Sequence, residues 1–106
     1  MTTLDDRQKS FEKKFERDQD LQFKANARRN KLLGLWAAEV MGKSDTEDYA
    51  KEVILADLEK PGDSDVVAKL VNDLAAAGKP TDEQTIRKQA ERLLAHAKKQ
   101  LMAETK

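Results

Sequence analysis

Apolar residues recur at helical spacing along most of this chain and alternate with polar ones at strand spacing almost nowhere. The last quarter shows the pattern best: Ile86, Ala90, Leu93, Leu94, Ala97 and Leu101 line one side of a helix. Val66, Val67, Leu70, Val71, Leu74 and Ala75 form a second stripe, and Tyr49, Val53, Ile54, Leu55, Ala56 and Leu58 a broader third. Gly42, the pair Pro61-Gly62 and the run Gly78-Lys79-Pro80 break the chain between them, with Gly42 and Gly78 suited to left-handed positions that end helices. Ser44-Asp45-Thr46-Glu47 and Thr81-Asp82-Glu83-Gln84 match the capping box, in which a hydroxyl accepts from the N3 amide and the fourth side chain reaches back. Ser44 is therefore the expected start of one helix, and Asp63-Ser64-Asp65 supplies short acceptors before another. The spacing predicts helices near residues 21–41, 45–59, 64–77 and 82–104.

The stretch ahead of Gly42 runs without proline from Thr3 to Met41, too far for one helix of a small bundle, and its halves differ. From Ala25 to Met41 it is apolar-rich, whereas residues 1–24 carry 12 charges, and only Leu4, Phe11, Phe15, Leu21 and Phe23 there are apolar with any bulk. So few large side chains do not offset the entropy of ordering the segment. The expected fold is all-α: a four-helix bundle over residues 21–106 with a mobile, partly helical N-terminal arm over residues 1–20. On a helical arm Leu4, Phe11 and Phe15 share one narrow face, the pattern of a helix that lies in a groove. Two destinations stand open to that face, a partner's groove or this chain's own bundle. The charges on nearly every other side of the arm favour the partner.

Composition narrows the classes. A chain of 106 residues is one domain at most. Of its apolar residues 14 are Ala and only seven are Val or Ile, which suits close helix contacts and not a sheet. With 20 basic and 20 acidic residues the net charge is zero, so the usual footprint of a nucleic-acid binder is missing and a protein partner is favoured. Regionally the charge is uneven: zero over residues 1–24, +2 over 25–42, −5 over 43–65 and +3 over 66–106. Zero cysteines exclude disulfides, thiolate metal sites and thiol nucleophiles. The start Met-Thr-Thr-Leu-Asp-Asp-Arg has no secretory pattern, and no window approaches the roughly 18 apolar residues of a membrane span, so the expectation is a soluble, cytoplasmic protein without direct membrane insertion.

Candidate chemistry is sparse. A calcium loop starting at Asp57 places Gly62 at the sixth position, but Pro61 falls at the fifth and Ala68 stands where a bidentate Glu is required. His96 is the only histidine, and with three serines, Ser10, Ser44 and Ser64, no nucleophile, base and orienting group can be assembled. No glycine-rich phosphate loop occurs. The expectation is a protein that is not an enzyme and has no metal or cofactor. Arg28-Arg29-Asn30-Lys31 is the densest basic cluster, and Arg28, Arg29 and Lys31 are candidates for a phosphate or for an acidic protein face.

Four stretches carry a family resemblance: Leu4-Asp5-Asp6-Arg7, Phe11-Glu12-Lys13-Lys14-Phe15, the long run Ala27-Arg28-Arg29-Asn30-Lys31-Leu32-Leu33-Gly34-Leu35-Trp36-Ala37-Ala38, and Pro61-Gly62-Asp63 with the helix start at Asp82-Glu83. Through them the chain resembles the zeta subunit family, the natural ATPase inhibitor protein of bacterial F-type ATP synthases. The resemblance implies a four-helix bundle from which an N-terminal segment, about Thr2 to Phe15, inserts between the alpha and beta subunits of the stator and the rotor gamma subunit and blocks rotation in the hydrolytic direction. It implies a free protein that is a monomer and that associates with the membrane-bound synthase. On that reading Leu4, Phe11 and Phe15 are the apolar anchors, and Asp5, Asp6, Arg7, Lys9, Lys13 and Lys14 pair with charged subunit faces. Arg28, Arg29 and Lys31 are a possible secondary contact. The chain departs from the family pattern at Leu4, where Phe is expected, at Gln8, where Glu is frequent, and at Arg17, near which His is expected. The alternative from another class is a small helical protein that binds nucleotide or nucleic acid through the cluster at 28–31.

Overall fold

A computed structural model describes residues 4–59 and 63–104, and the described residues form five helices: α1 (Leu4–Arg17), α2 (Gln19–Met41), α3 (Thr46–Glu59), α4 (Asp63–Ala76) and α5 (Glu83–Glu104). No strand occurs among them. The chain is thus all-α, as its periodicity requires. Pro61-Gly62, expected as a joint, lies outside the described residues.

Aspartates decide where three helices begin. Asp18 stands in extended conformation (φ −102°, ψ 104°) between α1 and α2, and its carboxylate accepts from the Asp20 and Leu21 amides at 2.9 and 3.3 Å. Asp45 accepts from the Asp48 amide at 3.4 Å, and Asp82 from the Thr85 amide at 3.1 Å. In the last two cases the cap is one residue later than the capping boxes at Ser44 and Thr81 predict. A carboxylate is the stronger acceptor at the positive end of a helix, so the neighbouring Asp displaces the hydroxyl; Thr81 instead donates to the Lys79 carbonyl at 3.1 Å. The C-terminal signals hold as read. Gly42 and Gly78 adopt φ of 75° and 78°, which lets the Lys43 and Lys79 amides reach back to the Ala38 and Leu74 carbonyls at 2.9 Å.

Helix α2 is central and packs against each of the other four. Leu33, Ala37 and Ala38 from it, Tyr49 and Val53 from α3, Val66, Val67, Leu70 and Leu74 from α4, and Ile86 and Ala90 from α5 make the main core. The α2–α3 crossing is close because α2 carries Gly34 there: a Cβ at Gly34 would lie 2.7 Å from the Ala50 Cα. Small residues at the contact permit this approach, which is where the alanine-rich composition is used.

Within the arm expected over residues 1–20, Leu4–Arg17 form a regular helix of 14 residues, α1. It adjoins a second, smaller cluster in which Phe11 meets Leu21 and Ala25 of α2 and Leu101 of α5, with Phe15, Leu94 and Met102 packed around them. Burying an aromatic ring contributes about 1.5–3 kcal/mol, which helps offset the ordering of the segment. The joint to α2 is a single residue. Around it the Gln22 side-chain amide donates to the Phe15 and Glu16 carbonyls at 2.9 and 3.2 Å and satisfies the end of α1 from within α2. The molecule is elongated, 51 × 25 × 25 Å.

Candidate functional site

The arm residues singled out by the sequence all lie on α1 or at its start, and the structure sorts them by face. Asp6, Lys9, Lys13 and Lys14 are exposed. Phe11 points the other way and retains 8% of its surface, while Phe15 is half-buried. The two rings stack with centroids 6.4 Å apart and planes inclined by 29°. The side chains of Leu4, Asp5 and Arg7 lie outside the described residues, as do Thr2 and Thr3. The aromatic face therefore rests on the chain's own helices, which is one of the two destinations the pattern left open, and the charged face looks outward.

Lys98 of α5 reaches this face. Its ammonium lies 4.2 Å from the Phe15 ring centroid and 3.5 Å from the Glu12 carboxylate, so one amine makes a cation–π contact and an ion pair with the same helix. Between the two helices a groove of about 200 Å³ remains, lined by Gln8, Phe11, Glu12, Leu94, Lys98 and Met102 among others. Sequence reasoning did not find Lys98. Its one signal is a position four residues beyond Leu94 on the apolar stripe of α5, and that spacing does not distinguish a contact with α1 from solvent.

The basic cluster is divided among different environments. Arg28 forms a two-pronged pair with the Glu104 carboxylate, one arm of it 3.0 Å long, and this hydrogen bond raises the guanidinium pKa and lowers that of Glu104. Arg29 is only 4% exposed, and its Nε donates to the Asn30 side-chain oxygen at 2.9 Å. Asn30 is 1% exposed, and its amide nitrogen has no hydrogen-bond partner among the described residues. Lys31 alone of the cluster is exposed. A run of basic letters thus does not make a basic stripe, because consecutive helical residues point about 100° apart and two of these three point into or along the bundle.

Between α3 and α4, the Tyr49 hydroxyl donates to Asp73 at 2.7 Å, Lys69 donates to the same carboxylate at 2.9 Å, and the ammonium groups of Lys43 and Lys69 lie 5.6 and 5.2 Å from the Tyr49 ring centroid. Burial and the Asp73 hydrogen bond push the Tyr49 phenol far up. Burial also pushes Asp73 up, but the donors from Tyr49 and Lys69 outweigh it and hold the carboxyl below its usual range. This network ties α3 to α4 and lies apart from the arm. No helix among the described residues is long and apolar enough to cross a membrane. Compared with known proteins, residues 1–100 match the family model described as ATPase inhibitor subunit zeta. No curated protein matches the chain.

Proposed function

Because this chain belongs to the ATPase inhibitor subunit zeta family, we propose that it is a non-catalytic inhibitor of the F-type ATP synthase whose α1 is the effector and whose remaining helices are its holder. Helix α1 inserts where the alpha and beta subunits meet the rotor gamma subunit and blocks rotation in the hydrolytic direction. The observation that carries this reading is the division of the apolar interior. The main core is shared by α2, α3, α4 and α5, whereas Phe11 and Phe15 of α1 belong to a separate small cluster. Helix α1 can therefore leave without opening the main core, and it takes with it two stacked rings and an exposed set of charges, Asp6, Lys9, Lys13 and Lys14. Aromatic anchors in a groove between subunits supply binding, and the surrounding charges set the orientation.

The test compares the full chain with the double variant Phe11→Ala, Phe15→Ala on ATP hydrolysis by the isolated catalytic head. Loss of two anchors of about 2 kcal/mol or more each raises the half-inhibiting concentration at least about hundredfold. The melting transition of the main core shifts by only a few degrees, since neither ring belongs to it. Undiminished inhibition by the double variant refutes the assignment of α1 as effector. A collapse of the main transition instead shows that the rings are structural.

A further inference from the structure

The same two rings serve two destinations, and they cannot occupy both. Phe11 is buried against Leu21, Ala25 and Leu101, and Phe15 lies under the Lys98 ammonium. We propose that this docked position of α1 is an autoinhibited state of the inhibitor, with Lys98 as its latch, so that the protein acts only when α1 is released from α2 and α5. The proposal rests on the reading of α1 as the effector and adds how that effector is restrained.

Two features of the interface fit a contact built to open. Its apolar part is small, with one buried ring and one half-buried ring from α1. Lys98 supplies two of its polar contacts. Lys98 holds Phe15 from above and Glu12 from the side, and its side chain keeps 23% of its surface, so both contacts are partly withdrawn from water. Glu12 turns toward α5 and stands outside the set of charges assigned to the partner, whereas the rings are used in both positions. Competition follows by linkage: each factor by which docking is favoured lowers the apparent affinity for the catalytic head by the same factor, and removing a docking contact returns it.

The test uses the full chain, the charge-reversal variant Lys98→Glu and the milder Lys98→Gln. Hydrogen exchange of α1 amides reads release, and hydrolysis by the isolated catalytic head reads inhibition. Loss of a partly desolvated cation–π contact and an ion pair makes α1 amides exchange about tenfold faster for Lys98→Glu, and the half-inhibiting concentration falls about tenfold. Lys98→Gln moves both readouts the same way by a smaller factor, while amides of the main core stay as protected as before. If α1 is freed and inhibition by the variants is no stronger than that of the unchanged chain, docking does not restrain the inhibitor and the latch is refuted. If α1 exchange does not change, Lys98 does not hold it and the proposal fails equally. If neither the variants nor the unchanged chain inhibits, it is the assignment of α1 as effector that fails, and the latch falls with it.

Discussion

Single residues carry more of this fold than their size suggests, and Gly34 is the clearest case. In an isolated helix Gly→Ala gains up to about 1 kcal/mol. Here the added methyl would meet the Ala50 Cα at 2.7 Å and Val53 at 3.2 Å, and a backbone atom does not swing aside as a side-chain tip does. Gly34→Ala is therefore expected to destabilise by about 1–3 kcal/mol, the range of overpacked cores, read as a lower urea midpoint. An unchanged or raised midpoint would show that the α2–α3 crossing relaxes. The sequence shows a glycine inside a helical run and gives no reason for it. The reason lies 16 residues away on another helix. Asn30 is a second such residue: its buried amide nitrogen, with two N–H donors, has no partner among the described residues, and a polar letter beside two arginines gives no sign of burial.

Among the elements, α1 and α2 depend on one joint. Asp18 caps α2 with two accepted hydrogen bonds, and Gln22 closes the end of α1. Asp18→Ala is expected to cost about 1 kcal/mol of stability, as N-cap removal does elsewhere. The loss should be local. Hydrogen exchange ought to quicken in the first turn of α2 and in α1, with the α3 and α4 amides unaffected; a uniform increase across all helices would mean that α1 and the main core open as one unit. The helices α2 to α5 were readable from period and punctuation, whereas the break between α1 and α2 at Asp18, which no glycine or proline marks, was not. Their first residues were not, because a hydroxyl and a carboxylate one position apart compete for the same amide, and the charged group prevails at Asp45 and Asp82.

For the whole molecule, electrostatics set the acid limit. Asp73, Glu104 and Asp82 all have carboxyls below their usual range: Asp73 through Tyr49 and Lys69, which overcome its burial, Glu104 through Arg28, and Asp82 through the Thr85 side chain and amide. A carboxyl lowered on folding stabilises the native state above its unfolded pKa, about 4, and loses that contribution as pH falls through the folded value. Asp48 runs the other way, raised by the hydrogen bond and charge of Asp45, but it is one group against three. The melting temperature should be flat from about pH 7 to 5 and fall below about pH 4, and a maximum in that acid range would contradict the assigned pairs. What the sequence determined by itself was local: that the chain is helical, where glycine ends two helices, and that residues 1–24 are rich in charge and poor in bulky apolar side chains, whereas Leu55 and Ala75 of the apolar stripes stand exposed. Each follows from periodicity or backbone freedom, which neighbours in sequence settle. The tertiary structure decided what depends on residues distant in sequence. It set the arm's aromatic face on α2 and α5, divided the cluster at 28–31 into Arg28 paired with Glu104, a buried Arg29 and an exposed Lys31, and joined Lys98 to Glu12 and Phe15. Such contacts are products of how helices cross, and one helix's letters hold no record of which partner will lie against them.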